Sequence, residues 1–160
     1  MSAAPRPADL RHPSTLLATW FGSGLLPKAP GTWGSLAALP FAWAIQVTGG
    51  QLALLVAAGI AFLVGIWASD RMARDIGIKD PGAVVIDEVA GQWLTLAFVP
   101  LSAWGYVAGF VLFRAADITK PWPASLADRR VGGGLGIMLD DIVAGLYAGL
   151  ALLVGSRFLG

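Results

Sequence analysis

Residues 80–91 read DPGAVVIDEVAG and place three carboxylates, those of Asp80, Asp87 and Glu88, at the start of a long apolar segment. The 25 residues that follow, 89–113, contain no Asp, Glu, Lys or Arg. An acidic pair that leads directly into such a segment is costly unless a cation lies against it. This stretch therefore predicts an apolar helix with a cation-binding site at its start.

The composition indicates one unusually apolar domain. Of the 160 residues, 56% are hydrophobic and 13% are charged, and the mean hydropathy is +0.70. An ordinary soluble domain has about 25% charged residues, so these values favour a membrane-embedded protein or an exceptionally apolar helical bundle. The start of the chain is polar and rich in Pro, so we expect a disordered segment at 1–14 and a single domain at 15–160.

Several function classes lack support in the sequence. The net charge of +1 gives no general attraction to nucleic acid. The absence of Cys excludes disulfides, thiolate metal sites and a Cys nucleophile. There is no phosphate-binding Walker motif and no zinc motif. The one His, His12, lies in the polar start, which argues against histidine-dependent phosphatase mechanisms.

Two apolar segments predict helical hairpins. The first, 29–69, carries no charge and is interrupted at Gly49 and Gly50, which predicts helices at 35–47 and 51–69 with Ser35 as N-cap. In the second, Pro100 separates helices predicted at 84–99 and 102–118. Each of these is about 25 Å long, shorter than the ~30 Å core of a bilayer. We therefore expect a hairpin that enters the membrane and returns.

A last apolar helix is predicted at 137–154, with Asp140 and Asp141 in its first turn, where the helix dipole favours acids. Gly91 follows Asp87 by four residues, and Gly145 follows Asp141 by four. Each glycine lies one helical turn after its aspartate. Because glycine has no side chain, we expect it to leave room beside the carboxylate.

Basic residues flank each apolar segment. The predicted hairpins would bring all of these basic residues to the same side of the membrane. By the positive-inside rule, all three charged clusters are expected to face the cytoplasm of a multi-pass membrane protein. The fold predicted from these patterns is an all-α, multihelical, membrane-embedded bundle built of helical hairpins.

The carboxylates near the apolar helices predict a metal site. Hard oxygen ligands without Cys suit Mg²⁺ rather than Zn²⁺. The alternative is that these acids form ion pairs with Arg114, Lys120, Arg129 and Arg130, and for a single acid both interpretations stay open. The candidate metal ligands are Asp80, Asp87, Glu88, Asp117, Asp140 and Asp141, and Asp128 lies in the same acidic group.

Arg114, Asp117 and Lys120 follow one ridge of a helix at i, i+3 and i+6. This pattern is typical of a ladder of ion pairs or of a phosphate-binding clamp. Residues 22–35, GSGLLPKAPGTWGS, lead into a helix N-terminus, where free N–H groups favour anions and Lys28 adds positive charge. The other interpretation of this segment is a simple connection into the helix.

These segments resemble the phosphatidylglycerophosphatase A family over about residues 15–149. Four ordered blocks carry the resemblance: 22–35, 80–91, 113–123 (FRAADITKPWP) and 133–145 (GGLGIMLDDIVAG). The positions that match the family's motifs are Lys28, Pro30, Gly31, Thr32, Gly34, Ser35, Asp80, Pro81, Asp87, Glu88, Gly91, Phe113, Arg114, Asp117, Lys120, Pro121, Pro123, Gly136, Met138, Asp140, Asp141, Ala144 and Gly145.

The resemblance implies a Mg²⁺-dependent phosphoric monoester hydrolase of the bacterial inner membrane that converts phosphatidylglycerophosphate to phosphatidylglycerol and phosphate. We expect catalytic roles for Asp87, Glu88, Asp117, Asp141, Arg114 and Lys120. We expect substrate binding by Lys28, Thr32, Ser35, Arg114 and Lys120. Attack by water and an aspartyl-phosphate intermediate both stay open, and so does the oligomeric state.

Two alternatives from other classes are a small transporter that uses intramembrane acids as an ion relay and a membrane assembly factor with Gly-rich packing faces. The transporter predicts acids that face one another at mid-membrane, whereas these acids lie at the ends of apolar segments. The assembly factor explains the 21 Gly residues but not the ridge of acids and bases. A third alternative, which is also an enzyme, is an alcohol transferase that forms phospholipids. The usual spacing of paired acids in that class is absent from this sequence.

Overall fold

The structure, a computed structural model, describes residues 6–123, 125–126 and 130–159. Within these residues there is no β-strand, so the all-α prediction is confirmed. The described part contains a 3₁₀ turn at Ser23–Leu25 and five α-helices: α1 (Pro13–Ala18), α2 (Pro30–Ile76), α3 (Ile86–Leu96), α4 (Ala103–Thr119) and α5 (Gly133–Leu159).

The predicted hairpin at Gly49 and Gly50 is confirmed. Helix α2 is interrupted at Gly50, whose φ of 73° and ψ of −170° suit glycine alone. Gly34 and Gly65 lie almost equally far from this break, about 24 Å by helical rise. They contact the adjacent residues Val85 and Ile86, so the two arms of α2 run back along each other.

The predicted N-cap at Ser35 is wrong. Helix α2 already begins at Pro30, and Ser35 is fully buried within it. Proline is favoured in the first turn because it has no N–H that would need a partner. The two residues before Pro30, Lys28 and Ala29, have φ of 60° and 48°. This left-handed backbone conformation is uncommon for residues other than glycine.

The second predicted hairpin is also present. Helix α3 has 11 residues and α4 has 17, and the connection between them contains Pro100. The Ser102 side chain caps α4 by accepting a hydrogen bond from Gly105 N at 3.0 Å. Helix α4 ends at Thr119, directly before Lys120 and Pro121, as predicted.

Helix α5 begins four residues earlier than predicted, at Gly133. Asp140 and Asp141 therefore lie about two turns inside the helix, and the prediction that they occupy its first turn is wrong. Their charge is consequently too far from the helix N-terminus for the dipole to stabilise it, because that effect fades beyond the first turn.

Helix α3 is the centre of the bundle. It packs against α2 and α5, and every residue from 89 to 96 is buried. Trp93 Nε1 donates a hydrogen bond to the Ala38 carbonyl of α2 at 2.9 Å. The Thr95 hydroxyl lies 3.0 Å from the Gly91 carbonyl and 3.1 Å from the Gly145 carbonyl of α5. A helix surrounded in this way holds its first turn in a fixed position.

The charged segments meet at one end of the bundle, as the hairpins require. Arg6 N donates to the Ile76 carbonyl at 3.2 Å, which joins the start of the chain to the end of α2. Asp70 lies beside Gly133, and Glu88 faces Arg114. The boundary predicted at residue 14 stays a prediction, although α1 begins at Pro13 and Ser14 is buried.

Candidate active site

A cleft of about 530 Å³ opens at this charged end. Its walls come from the start of α2, the segment before α3, the first turn of α3, the end of α4 and the first turns of α5. The lining residues include Pro30, Gly31, Lys79, Asp80, Asp87, Glu88, Arg114, Asp117, Lys120, Arg130, Gly132, Gly133, Gly136, Asp140 and Asp141. Segments far apart in sequence thus share one polar cavity.

Three carboxylates converge within the cleft. Oxygen atoms of Asp87, Glu88 and Asp141 all lie within 4.8 Å of one another. Asp87 and Glu88 are the second and third residues of α3, where the helix dipole favours negative charge. Asp141 comes from α5 and is only 2% exposed. Acids from two helices are therefore held close together.

Burial and mutual repulsion change the titration of the two α3 acids. Burial raises the pKa of Asp87 well above its ordinary value, and the neighbouring charges of Glu88 and Asp141 raise it further. Burial also raises the pKa of Glu88, although a hydrogen bond from Asp87 and the charge of Arg114 lower it in part. Full ionisation of this cluster therefore calls for an additional positive charge.

Arg114 and Asp117 form the α4 side of the cleft. Arg114 donates from Nη1 to the Asp117 carboxylate, and the same nitrogen lies 3.9 Å from Glu88 Oε1. The charge of Asp117 is close enough to act on both Glu88 and Asp141. Asp87 and Asp141 therefore converge, and Asp117 lies beside them outside the group of three.

Lys120 and Asp140 form a separate pair at the side of the cluster. Lys120 Nζ donates to Asp140 Oδ2 at 2.6 Å. Asp140 is outside the group of three converging carboxylates, because consecutive residues on a helix point about 100° apart. Its predicted metal contact stays a prediction, and the structure places it as an ion-pair partner of Lys120.

The cluster fits a divalent metal ion. Three carboxylates offer hard oxygen ligands at short mutual distances. Glu88 Oε2 and Asp141 Oδ2 are buried and accept no hydrogen bond from any residue that the structure describes. Buried carboxylate oxygens without a donor are costly, so a cation between them would satisfy both the geometry and the charge.

Other predicted site residues lie elsewhere. Asp80 is exposed and lines the cleft outside the three-carboxylate group. Lys28 is exposed, Thr32 is half-buried and Ser35 is fully buried, and none of the three lines the cleft. Their substrate-binding roles stay predictions. Asp128 and Arg129 fall outside the described residues.

Three residues of the cleft were not among the predicted site residues. Gly31 lies so close to Glu88 Oε1 that a methyl group on it would collide with that oxygen. Lys79 and Arg130 also line the cleft. A signal for both cations was present, since Lys79 directly precedes Asp80 and Arg130 lies three residues before Gly133, the start of α5.

The predicted room beside the carboxylates has a different explanation. A Cβ atom on Gly145 would lie 2.6 Å from the Gly91 carbonyl oxygen, and one on Gly91 would lie 2.6 Å from the Asp141 carbonyl oxygen. The two glycines therefore make room for the backbone of the neighbouring helix rather than for a ligand. The cause that we predicted for these two glycines is therefore wrong.

An all-helical domain with clustered carboxylates and several cations in one cleft is suited to metal-assisted hydrolysis of phosphate esters. A model of the family described as Phosphatidylglycerophosphatase A matches residues 16–156. The chain belongs to the phosphatidylglycerophosphatase A family.

Individual relatives agree with this assignment. Phosphatidylglycerophosphatase A of Escherichia coli is 45% identical over 168 residues, which cover 99% of this chain and 96% of the relative. Phosphatidylglycerophosphatase A of Haemophilus influenzae is 40% identical over 141 residues, covering 88% and 86%. A Bacteroides thetaiotaomicron protein provisionally named a phosphatidylinositol-3-phosphatase is 35% identical over 167 residues, covering 94% and 100%. No solved structure matches the chain.

Proposed function

We propose that this protein hydrolyses phosphatidylglycerophosphate to phosphatidylglycerol and inorganic phosphate. The observation that carries the proposal is the convergence of Asp87, Glu88 and Asp141 within 4.8 Å, with Arg114 beside them. Membership of the family supplies the identity of the lipid. The cleft supplies what the reaction needs, which is a site for a cation next to a donor for phosphate oxygens.

Asp87, Glu88 and Asp141 would hold Mg²⁺, with Asp117 beside them. When bound, this ion would polarise the phosphomonoester and favour ionisation of a water molecule. The buried, unpartnered oxygens of Glu88 and Asp141 support the assignment. Asp80 lines the same cleft and remains a further candidate ligand.

Arg114 would orient the terminal phosphate. Asp117 and Glu88 fix its guanidinium group, yet its Nε is buried and donates to no acceptor in the described part of the chain. The guanidinium group also lines the cleft, so it would donate to a phosphate oxygen bound there, and charge-assisted hydrogen bonds of this kind stabilise negative charge in the transition state. Lys120, which lines the same cleft, adds positive charge.

In the hydrolysis, an oxygen atom bonds to phosphorus while the bond between phosphorus and the glycerol oxygen breaks. A carboxylate of the cluster takes the proton of the attacking water, and the glycerol oxygen leaves as a hydroxyl after protonation. The alternative is attack by an aspartate carboxylate, followed by hydrolysis of the aspartyl-phosphate. Both routes use the same residues.

The setting we propose is the bacterial inner membrane, with the cleft at its cytoplasmic face. Helices α2 and α5 are long and apolar enough to cross a membrane. The second arm of α2 also exposes an apolar stripe with helical spacing: Leu52, Val56, Ile60, Leu63 and Trp67. Leu52 is 71% and Leu63 67% exposed, which favours contact with lipid over contact with water.

Phosphate release from phosphatidylglycerophosphate in detergent micelles, with and without Mg²⁺, tests the proposal. Asp87→Asn and Asp141→Asn should each abolish turnover while the helical content is retained. Asp75→Asn is the matched control, because Asp75 pairs with Arg71 at 3.1 Å outside the cleft. Near-normal Mg²⁺-dependent release from either cluster variant would contradict the assignment.

The substrate class is tested in the same assay. Phosphatidylinositol 3-phosphate also carries a phosphomonoester, and the Bacteroides relative bears the name of an enzyme for it. We expect faster release from phosphatidylglycerophosphate, because the two nearly full-length relatives with 45% and 40% identity are both named for that lipid. Release from the inositol lipid alone would replace the proposed substrate while leaving the proposed chemistry intact. No release from either lipid with any divalent ion would favour the non-enzymatic alternatives.

A further inference from the structure

The cations of the cleft fall into two groups. Arg114 pairs with Asp117 and Glu88, and Lys120 pairs with Asp140. Lys79 and Arg130 also line the cleft, but neither forms an ion pair with any residue that the structure describes. Two exposed cations in one cavity therefore have no ion-pair partner among the described residues, which is the arrangement expected for binding an anion.

These two cations lie apart from the carboxylate cluster. Both are exposed, whereas Asp141 is only 2% exposed. Lys79 precedes α3 in the connection from α2, and Arg130 precedes α5. Gly133, the first residue of α5, is eight residues from Asp141, a distance of about 12 Å by helical rise. Lys79 and Arg130 therefore lie at the mouth of the cleft, where Asp80 is the one exposed acid among the described lining residues, and the three clustered acids lie at its floor.

The start of α5 adds to the positive potential at the mouth. Gly132 and Gly133, two and three residues after Arg130, also line the cleft. The first N–H groups of a 27-residue helix have no partner within that helix, and its dipole favours an anion at this end. A Cβ atom on Gly132 would meet nothing within 4 Å, so a ligand can approach the backbone there, whereas Asp70 Oδ1 lies beside Gly133.

We propose that Lys79 and Arg130 bind the phosphodiester of the substrate while its terminal phosphate occupies the carboxylate cluster. This inference rests on the proposed function. The lipid carries two phosphates, separated by one glycerol unit of three carbons, and only the terminal one is cleaved. A cleft with an acidic, metal-suited floor and a cationic mouth matches the order of these groups, with the acyl chains pointing out towards the membrane.

Binding of the diester should affect affinity more than the chemical step. The diester keeps its single negative charge throughout the reaction, so its contacts are equally strong in the ground state and the transition state. Loss of such uniform binding raises KM and leaves kcat nearly unchanged. Because both side chains are exposed, we expect each loss to weaken binding by roughly three- to tenfold.

The test uses two soluble competitors of lipid hydrolysis in micelles of neutral detergent, which removes general attraction to an anionic membrane. Glycerophosphoglycerol carries the phosphodiester without the terminal phosphate, and inorganic phosphate represents the terminal group. In Lys79→Ala and Arg130→Ala, the inhibition constant for glycerophosphoglycerol and the KM for the lipid should each rise roughly three- to tenfold. The inhibition constant for inorganic phosphate and kcat should stay close to those of the unmodified protein.

Arg71→Ala is the charge-matched control, because Arg71 is exposed and lies outside the cleft. The conservative changes Lys79→Arg and Arg130→Lys should retain most of the affinity. The proposal is overturned if glycerophosphoglycerol does not inhibit the unmodified protein, or if the alanine variants leave its inhibition constant unchanged. It is also overturned if the alanine variants weaken inhibition by inorganic phosphate to the same extent.

Failure of the proposed function would be distinguishable. If the protein releases no phosphate, the proposed lipid phosphatase activity is contradicted. Binding of glycerophosphoglycerol can then still be measured, because binding broadens its NMR signals. Broadening that the two alanine variants remove and Arg71→Ala retains would uphold the diester site. Equal broadening in all of these proteins would overturn it.

Discussion

Gly91 of α3 and Gly145 of α5 bring the two helices into backbone contact one turn beyond Asp87 and Asp141. A Cβ atom on Gly145 would lie only 2.6 Å from the Gly91 carbonyl oxygen. The Thr95 hydroxyl reaches the carbonyls of both glycines, at 3.0 and 3.1 Å. The distance between the two helices at this point therefore sets the distance between their carboxylates.

Gly145→Ala should separate α3 from α5 and disrupt the cluster. A methyl group would meet the backbone of Gly91, which cannot move aside as a flexible side chain can. We expect a loss of about 1–3 kcal/mol in the free energy of unfolding and a larger proportional loss of phosphate release, measured by thermal denaturation and by turnover.

Gly155→Ala on the same helix is the matched control, since a Cβ atom there meets nothing within 4 Å. It should raise stability by up to about 1 kcal/mol through helix propensity and leave turnover unchanged. Full activity of Gly145→Ala would show that the helix contact does not set the geometry of the site.

Gly31→Ala should reduce activity with little effect on stability. The added methyl group would collide with Glu88 Oε1 and lie 3.1 Å from Arg114 Nη1, so it would displace the groups that hold the phosphate and the cation. Both of these atoms are the ends of flexible side chains, which can shift aside without moving the backbone. We expect turnover to fall at least roughly tenfold, which corresponds to ~1.4 kcal/mol in the activation free energy.

Gly82→Ala provides the comparison for Gly31→Ala. Gly82 lines the same cleft, but a Cβ atom on it meets nothing within 4 Å. It should retain nearly full turnover. Equal losses in both variants would indicate that the cleft wall as a whole, rather than the contact with Glu88, is sensitive to substitution.

Mg²⁺ should raise the melting temperature, because the ion relieves repulsion among Asp87, Glu88 and Asp141 in the folded state only. At a Mg²⁺ concentration one hundred times the dissociation constant, the free energy of unfolding should rise by about 2.7 kcal/mol. Asp87→Asn should melt higher than the unmodified protein without metal and should lose most of the gain on adding Mg²⁺. Asp75→Asn should keep the full gain.

The pH dependence of the metal-free protein follows from the same repulsion. Because the pKa of Asp87 is raised in the folded state, the unfolded chain loses its proton first as the pH rises. Stability without metal should therefore fall as the pH rises through and above the ordinary range of an aspartate, and it should fall less in Asp87→Asn. A metal-free stability that rises over this range would contradict the burial of an uncompensated acid cluster.

Part of the site was predictable because hairpins return each charged segment to the same end of the bundle. Gly49, Gly50 and Pro100 are local signals for the turns, and the long uncharged segments between them predict helices of known rise. These features suffice to bring Asp87, Glu88, Arg114 and Asp117 together. They give no information on which face of each helix is turned inwards.

The sequence by itself determined the all-α hairpin architecture and the meeting of acids from three separate segments, since apolar periodicity and turn residues act locally. Only the tertiary structure decided that Asp141 rather than Asp140 completes the carboxylate cluster. It also decided that Lys79 and Arg130 line the cleft while Lys28 does not. These outcomes depend on helix rotation and on how closely α3 and α5 approach at Gly91 and Gly145, which arise from packing between residues distant in the chain.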